Sequence, residues 1–121
     1  MDRLFLMIGS LSAGLSVAAG AFGAHALRAR LEPRQLEVLE TAARYQMYHA
    51  LAMLLVAWAA TRFTSSLVSV SGWLFVAGTL LFSGSLYAMT FTGIRALGAI
   101  TPFGGVCFIA GWVCLAMAAR S

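Results

Sequence analysis

Four stretches of the sequence, at about 4–27, 45–62, 68–90 and 97–119, run apolar for 18 residues or more with no acidic residue inside them. Crossing a hydrocarbon core of about 30 Å takes roughly 20 such residues in a helix. Inside lipid every backbone N–H and C=O must be paired within the protein, and a helix pairs its own. The runs therefore predict an all-α fold, a membrane-spanning four-helix bundle that occupies 1–121 as a single transmembrane domain. Composition agrees, with 61% of the 121 residues apolar and 10% charged, where an ordinary soluble domain carries about a quarter charged.

The connections differ in weight. Arg62 with Thr64, Ser65 and Ser66 separates the second run from the third, and Thr92-Gly93-Ile94-Arg95 separates the third from the fourth. Both are short, so consecutive helices should be antiparallel neighbours. Residues 28–44 form the one substantial connection, holding Arg28, Arg30, Glu32, Arg34, Glu37, Glu40 and Arg44. Pro33 suits a first helical turn, and Leu36, Leu39, Ala43 and Met47 recur at three- and four-residue steps among the charges, so the spacing predicts an amphipathic helical segment leading into the second span. Such a segment would lie along the headgroups or over the mouth of the bundle.

All eight basic residues are arginines, against four acidic ones. They stand singly between apolar runs, without the basic cluster or aromatic platform of a nucleic-acid binder, so no nucleic-acid partner is expected. Arg3, Arg62 and Arg120 fall on the side of the termini, and Arg28, Arg30, Arg34, Arg44 and Arg95 on the side of loops one and three. Basic residues favour the cytoplasm, which places the termini in the periplasm of a bacterial inner membrane. The first run is too long for a signal-peptide core and is followed by more membrane, so it reads as the first span. Cys107 and Cys114 are two helical turns apart, too far for a disulfide.

Helices in lipid associate by close packing, which small residues four apart allow. The first span carries two such ridges, Ser12-Ser16-Gly20-Ala24 and Ser10-Gly14-Ala18, and is expected to be the central helix. Polar groups in the spans are few: His25, Gln46, His49, Ser83, Ser85, Tyr87 and Thr101. Tyr45, Gln46 and His49 share a helix face, and His25 closes the first span at the same membrane boundary. The candidate site is therefore a polar rim of His25, Tyr45, Gln46, His49 and Tyr87. One reading has these side chains hydrogen-bonding across helices; another has the two imidazoles holding a metal, a haem or a quinone-like head group; a third has histidine handling protons. Two histidines are an incomplete metal set and nothing nearby completes it, so no metal or other cofactor is expected. Trp58, Trp73 and Trp112 sort to the terminal side and the three tyrosines to the loop-one side, as interface anchors would.

No acidic residue lies within a span, which disfavours a proton-coupled small multidrug transporter. No Ser-His-Asp set, HExxH, phosphate loop or CxxC appears, so no enzyme is expected. Four blocks, Gly20-Ala21-Phe22-Gly23-Ala24-His25-Ala26-Leu27, Thr41-Ala42-Ala43-Arg44-Tyr45-Gln46-Met47-Tyr48-His49-Ala50-Leu51, Phe82-Ser83-Gly84-Ser85-Leu86-Tyr87 and Ile100-Thr101-Pro102-Phe103-Gly104-Gly105, together resemble the YgdD-like family (domain of unknown function 423). The resemblance covers essentially the whole chain. It implies a small four-span inner-membrane protein without an established activity, and it supplies no catalytic residues. The expected role is structural or accessory, with the lipid bilayer as surroundings and a homo-oligomer or a larger membrane complex as partner. The alternatives are a ligand site at the His25/His49 rim and a small transporter or channel.

Overall fold

The computed structural model describes residues 2–120, and among them every regular element is helical. Helix α1 (Asp2–Leu27), α2 (Pro33–Arg62), α3 (Leu67–Thr92) and α4 (Arg95–Ala118) follow one another up and down. Three of them, α1, α3 and α4, are long and apolar enough to cross a membrane. Helix α2 is the exception, and its burial explains why. It alone packs against α1 on one side and α3 on the other, and it buries Leu39, Ala42, Gln46, His49, Met53 and Val56 among others. The expectation of a central first span is thus corrected: α1 is peripheral and buries only Phe5, Gly9 and Ser16 in its first sixteen residues. A helix wrapped by neighbours can carry polar groups that a lipid-facing helix cannot.

The amphipathic segment is not separate from the second span. Helix α2 runs unbroken for 30 residues, about 45 Å at 1.5 Å per residue. It starts where the local chemistry permits: Pro33 fills the first turn, and Glu32 and Gln35 form a reciprocal capping box in which the Glu32 N–H donates to Gln35 Oε1 at 3.0 Å. Its outward stripe then changes character once. Glu37, Glu40 and Arg44 are exposed, and Tyr48, Leu51, Leu55 and Trp58 continue the same stripe as exposed apolar side chains. The stripe thus turns from charged to apolar near Tyr45, and the helix from there to Arg62 is about 26 Å long.

Two wide turns adjust the bundle. Ala18–Gly23 in α1 and Thr79–Ser83 in α3 are wound as π-helix, and both meet α2 at the same height. Gly20 lies against the Ala43 side chain, and Ser83 Oγ donates to the Ala42 carbonyl at 2.8 Å. Helix α3 ends at Gly93, whose φ of 73° only glycine adopts cheaply. Helix α4 opens with a 3-10 turn, Arg95–Ala99, before its α-helical body, Thr101–Ala118. The core is shared by all four helices, with Phe5, Met53, Val56, Phe75 and Phe108 at its centre.

Candidate functional site

The predicted rim divides into two constellations and one residue left out. The first surrounds Gln46, which is 7% exposed. Its amide Nε2 donates to the Ser12 carbonyl at 3.1 Å and to Ser12 Oγ at 3.2 Å, and its Oε1 accepts from the Tyr87 hydroxyl at 2.6 Å. One side chain of α2 thereby ties α1 to α3. Interhelical bonds of this sort are worth about 0.6–2 kcal/mol and fix which helix meets which. Tyr87 is accordingly no interface anchor, since its hydroxyl points to a partner inside the bundle.

The second constellation surrounds His49, which is 4% exposed and one turn deeper. Nδ1 lies 2.8 Å from the Tyr45 carbonyl, which only accepts, so Nδ1 carries the proton. Nε2 then has a free lone pair, and the Trp112 indole N–H donates to it at 3.1 Å. The imidazole is a neutral tautomer with both nitrogens engaged. Its face is covered too: the Phe108 ring lies parallel at 3.5 Å between centroids, with an interplanar angle of 5°. Trp112 is thus tied to the core by a hydrogen bond, whereas Trp73 meets it only by ring contact, edge-on to Phe5 at 5.2 Å, and Trp58 lies under Arg62 at 5.9 Å.

His25 joins neither group. It is exposed on the last turn of α1, beyond the π-helical stretch, while His49 is buried between α2 and α4. The proposed pairing of two imidazoles is corrected on this point. A metal at His49 would have to displace the Tyr45 or Trp112 bond, and among the described residues no group of three or more His, Cys, Asp or Glu is placed to hold an ion. Ser83 and Ser85 complete the inventory: Ser83 binds the Ala42 carbonyl, and Ser85 shares a hydrogen bond of 2.6 Å with Thr101 that ties α3 to the start of α4. Among the described residues no buried side-chain polar atom lacks a partner.

One opening remains on this face. A groove of about 500 Å³ between α2 and α4 is walled by Tyr45, Tyr48, Phe82, Phe108, Ile109 and Trp112, with His49 at its floor. Sequence reasoning found Tyr45 and His49 but missed Ser12, Phe108 and Trp112, because each approaches from a helix distant in the chain. The spacing Phe108 to Trp112, four residues apart on one face, was the available signal.

The chain is similar throughout to proteins of known sequence and unknown activity. The family described as "Protein of unknown function (DUF423)" matches residues 19–105. A UPF0382 membrane protein of Staphylococcus aureus is 47% identical over 116 residues, covering 96% of this chain and 94% of that protein. UPF0382 membrane protein YwdK of Bacillus subtilis is 45% identical over 118 residues, covering 97% and 96%. No solved structure matches.

Proposed function

The chain belongs to the DUF423 family of multi-pass membrane proteins, and from that premise we propose that it works by association within the bilayer, as a non-enzymatic structural or accessory protein. One observation carries this reading: the polar side chains buried in the bundle are already engaged by partners within it. Gln46 is occupied by Ser12 and Tyr87, and His49 by Tyr45 and Trp112. A general base or an ion carrier needs a group that can exchange partners. The same bonds bridge α1, α2 and α3 where a transporter or channel would need a polar path. What the bundle offers outward is the aromatic groove between α2 and α4, a surface fit for a second copy of this chain or a larger membrane complex.

The test is crosslinking in native membranes from a photoreactive residue at Tyr48 or Ile109, with Leu15 on the far helix as control. Adducts from the groove positions, and not from Leu15, support the reading. A protein that extracts as a lone monomer and crosslinks to nothing overturns it.

A second reading is favoured by the aromatic lining of the open groove, Tyr45, Tyr48, Phe82 and Trp112. A flat, ring-bearing lipid-soluble ligand would lie against these rings. An organic extract of the purified protein, compared with that of Trp112→Ala, would reveal it as a molecule lost with the wall. As to placement, the five arginines of loops one and three against three on the terminal side support a bacterial inner membrane with periplasmic termini. Cysteines introduced at Thr64 and Ala29 and probed in intact cells with an impermeant maleimide should react at Thr64 only. The reverse pattern inverts the topology.

A further inference from the structure

Two polar groups on the wall of the groove between α2 and α4 are left unpaired. At the floor both His49 nitrogens are engaged, and the Trp112 N–H is spent on one of them. Tyr87, outside the groove, donates its hydroxyl to Gln46. Tyr45 and Tyr48 differ. Both line the groove and are exposed, and among the described residues neither phenol hydroxyl makes a hydrogen bond. Their rings lie edge-on with centroids 5.6 Å apart, which puts two O–H donors side by side where the outward stripe of α2 turns from charged to apolar. From Gly105 to Trp112 the opposite wall runs seven residues along α4, about 10 Å.

These walls select two properties in an occupant. The first is a rigid ring. Tyr45 and Phe82 stand 4.7 Å apart at 41° on one side, and Trp112 lines the other. An alkyl chain held there gives up freedom at each of its bonds and gains no ring-to-ring attraction, whereas a flat ring gains that attraction and has no internal rotation to lose. The second is an acceptor oxygen carried on that ring, since each phenol has a donor to place and a hydrocarbon offers it nothing. The volume, about 500 Å³, is within the range of about 300–1,000 Å³ usual for small-ligand sites. A flat, uncharged, lipid-soluble ring with carbonyl oxygens in its plane is a quinone. Resting on the ring-ligand reading above, we propose that the groove binds a lipid-soluble quinone, its ring against Phe82 and Trp112 and a carbonyl oxygen accepting from the hydroxyls of Tyr45 and Tyr48.

Equilibrium dialysis of the full chain in mild detergent, against 2,3-dimethyl-1,4-naphthoquinone and against 2,3-dimethylnaphthalene, tests it. The two probes share a ring system and differ in the carbonyl oxygens, and the alkyl chains of the detergent compete throughout. With affinities expressed against the probe dissolved in detergent, the quinone should bind saturably, one per chain, and about tenfold more tightly than the hydrocarbon. Tyr45→Phe with Tyr48→Phe keeps both rings and should bring the quinone to within about twofold of the hydrocarbon. Hydrocarbon binding should be the same in that variant, which shows that the groove is intact. If neither probe binds saturably to the unaltered chain, the ring-ligand reading falls and the proposal with it. If both bind equally, or if the preference for the quinone survives the loss of both hydroxyls, the ring-ligand reading stands and the proposal is overturned.

Discussion

The seam between α1 and α2 and the seam between α3 and α4 solve one problem by different means. Lipid gives no hydrophobic push toward helix association, so each seam must gain from contact itself. Along α1 and α2 the contact is small residue against small residue, Gly9 on Ala50 and Gly20 on Ala43, with the Ser12–Gln46 bond between them. Along α3 and α4 it is aromatic against glycine: the Phe108 ring covers Gly78, the Phe75 ring covers Gly111, and Gly104 lies on the Phe82 backbone. The first seam has its register marked by a directional bond in its middle; the second has one only near the start of α4, Ser85 to Thr101, and along the rest of its length is set by shape. Shape is the less forgiving, because a ring seated on a glycine has nowhere to retreat.

The sharpest way to break the comparison is therefore Gly104→Ala. Its new methyl would stand 2.7 Å from Phe82 Cβ and closer still to the Phe82 backbone nitrogen, and backbone does not move aside. A loss of about 3 kcal/mol is expected, read as a lowered unfolding midpoint in detergent. Gly9→Ala should cost less, about 2 kcal/mol. Its methyl would meet the Ala50 carbonyl at 2.8 Å and Met53 Cβ at 3.0 Å, but α1 is peripheral and can back away from α2. If the seams are independent, the double variant should lose the sum within about 0.5 kcal/mol. A smaller loss would show that the two seams communicate through α2.

Removing the directional bonds comes next in size. Gln46→Leu keeps the volume but strands the Tyr87 hydroxyl and the Ser12 Oγ, for an expected loss of about 1–2 kcal/mol. Tyr87→Phe in the same background should then cost almost nothing, and a double-mutant cycle measures the coupling. Trp112→Phe leaves His49 Nε2 without its donor and keeps most of the ring contact, so about 1 kcal/mol is expected. If His49 instead finds a new partner in the groove, the loss disappears.

The helix count was legible in the sequence because lipid imposes one rule on every residue of a span, and a run such as 68–90 cannot hide it. The order of the helices in space was not. Density of small residues pointed to α1 as the centre, yet a small residue marks a close approach and does not say how many neighbours a helix has. Gln46 and His49 carried the better signal, since a helix that brings such groups into the membrane must be the one surrounded. Within the site, Tyr45, Gln46 and His49 could be grouped because they lie within one turn of each other. His25 was grouped with them by depth alone, and depth fixes only one of the three coordinates that place a side chain. The π-helical turns at Ala18–Gly23 and Thr79–Ser83 left no mark that composition or spacing could reveal.

Gly14→Ala gives the smallest effect and the cleanest control on the first seam. Ser10, Gly14 and Ala18 form a four-residue ridge as regular as that of Ser12, Ser16 and Gly20, but the three are exposed and a methyl at Gly14 would meet nothing within 4 Å. In the isolated chain the substitution should be neutral or stabilise by about 0.5 kcal/mol, since alanine holds a helix better than glycine. The opposite sign to Gly9→Ala, five residues earlier on the same helix, would show that spacing of small residues does not decide what a helix face does. Only the presence of a backbone opposite does. A loss at Gly14 seen in native membranes and absent in detergent would place such a backbone there, on a neighbouring chain.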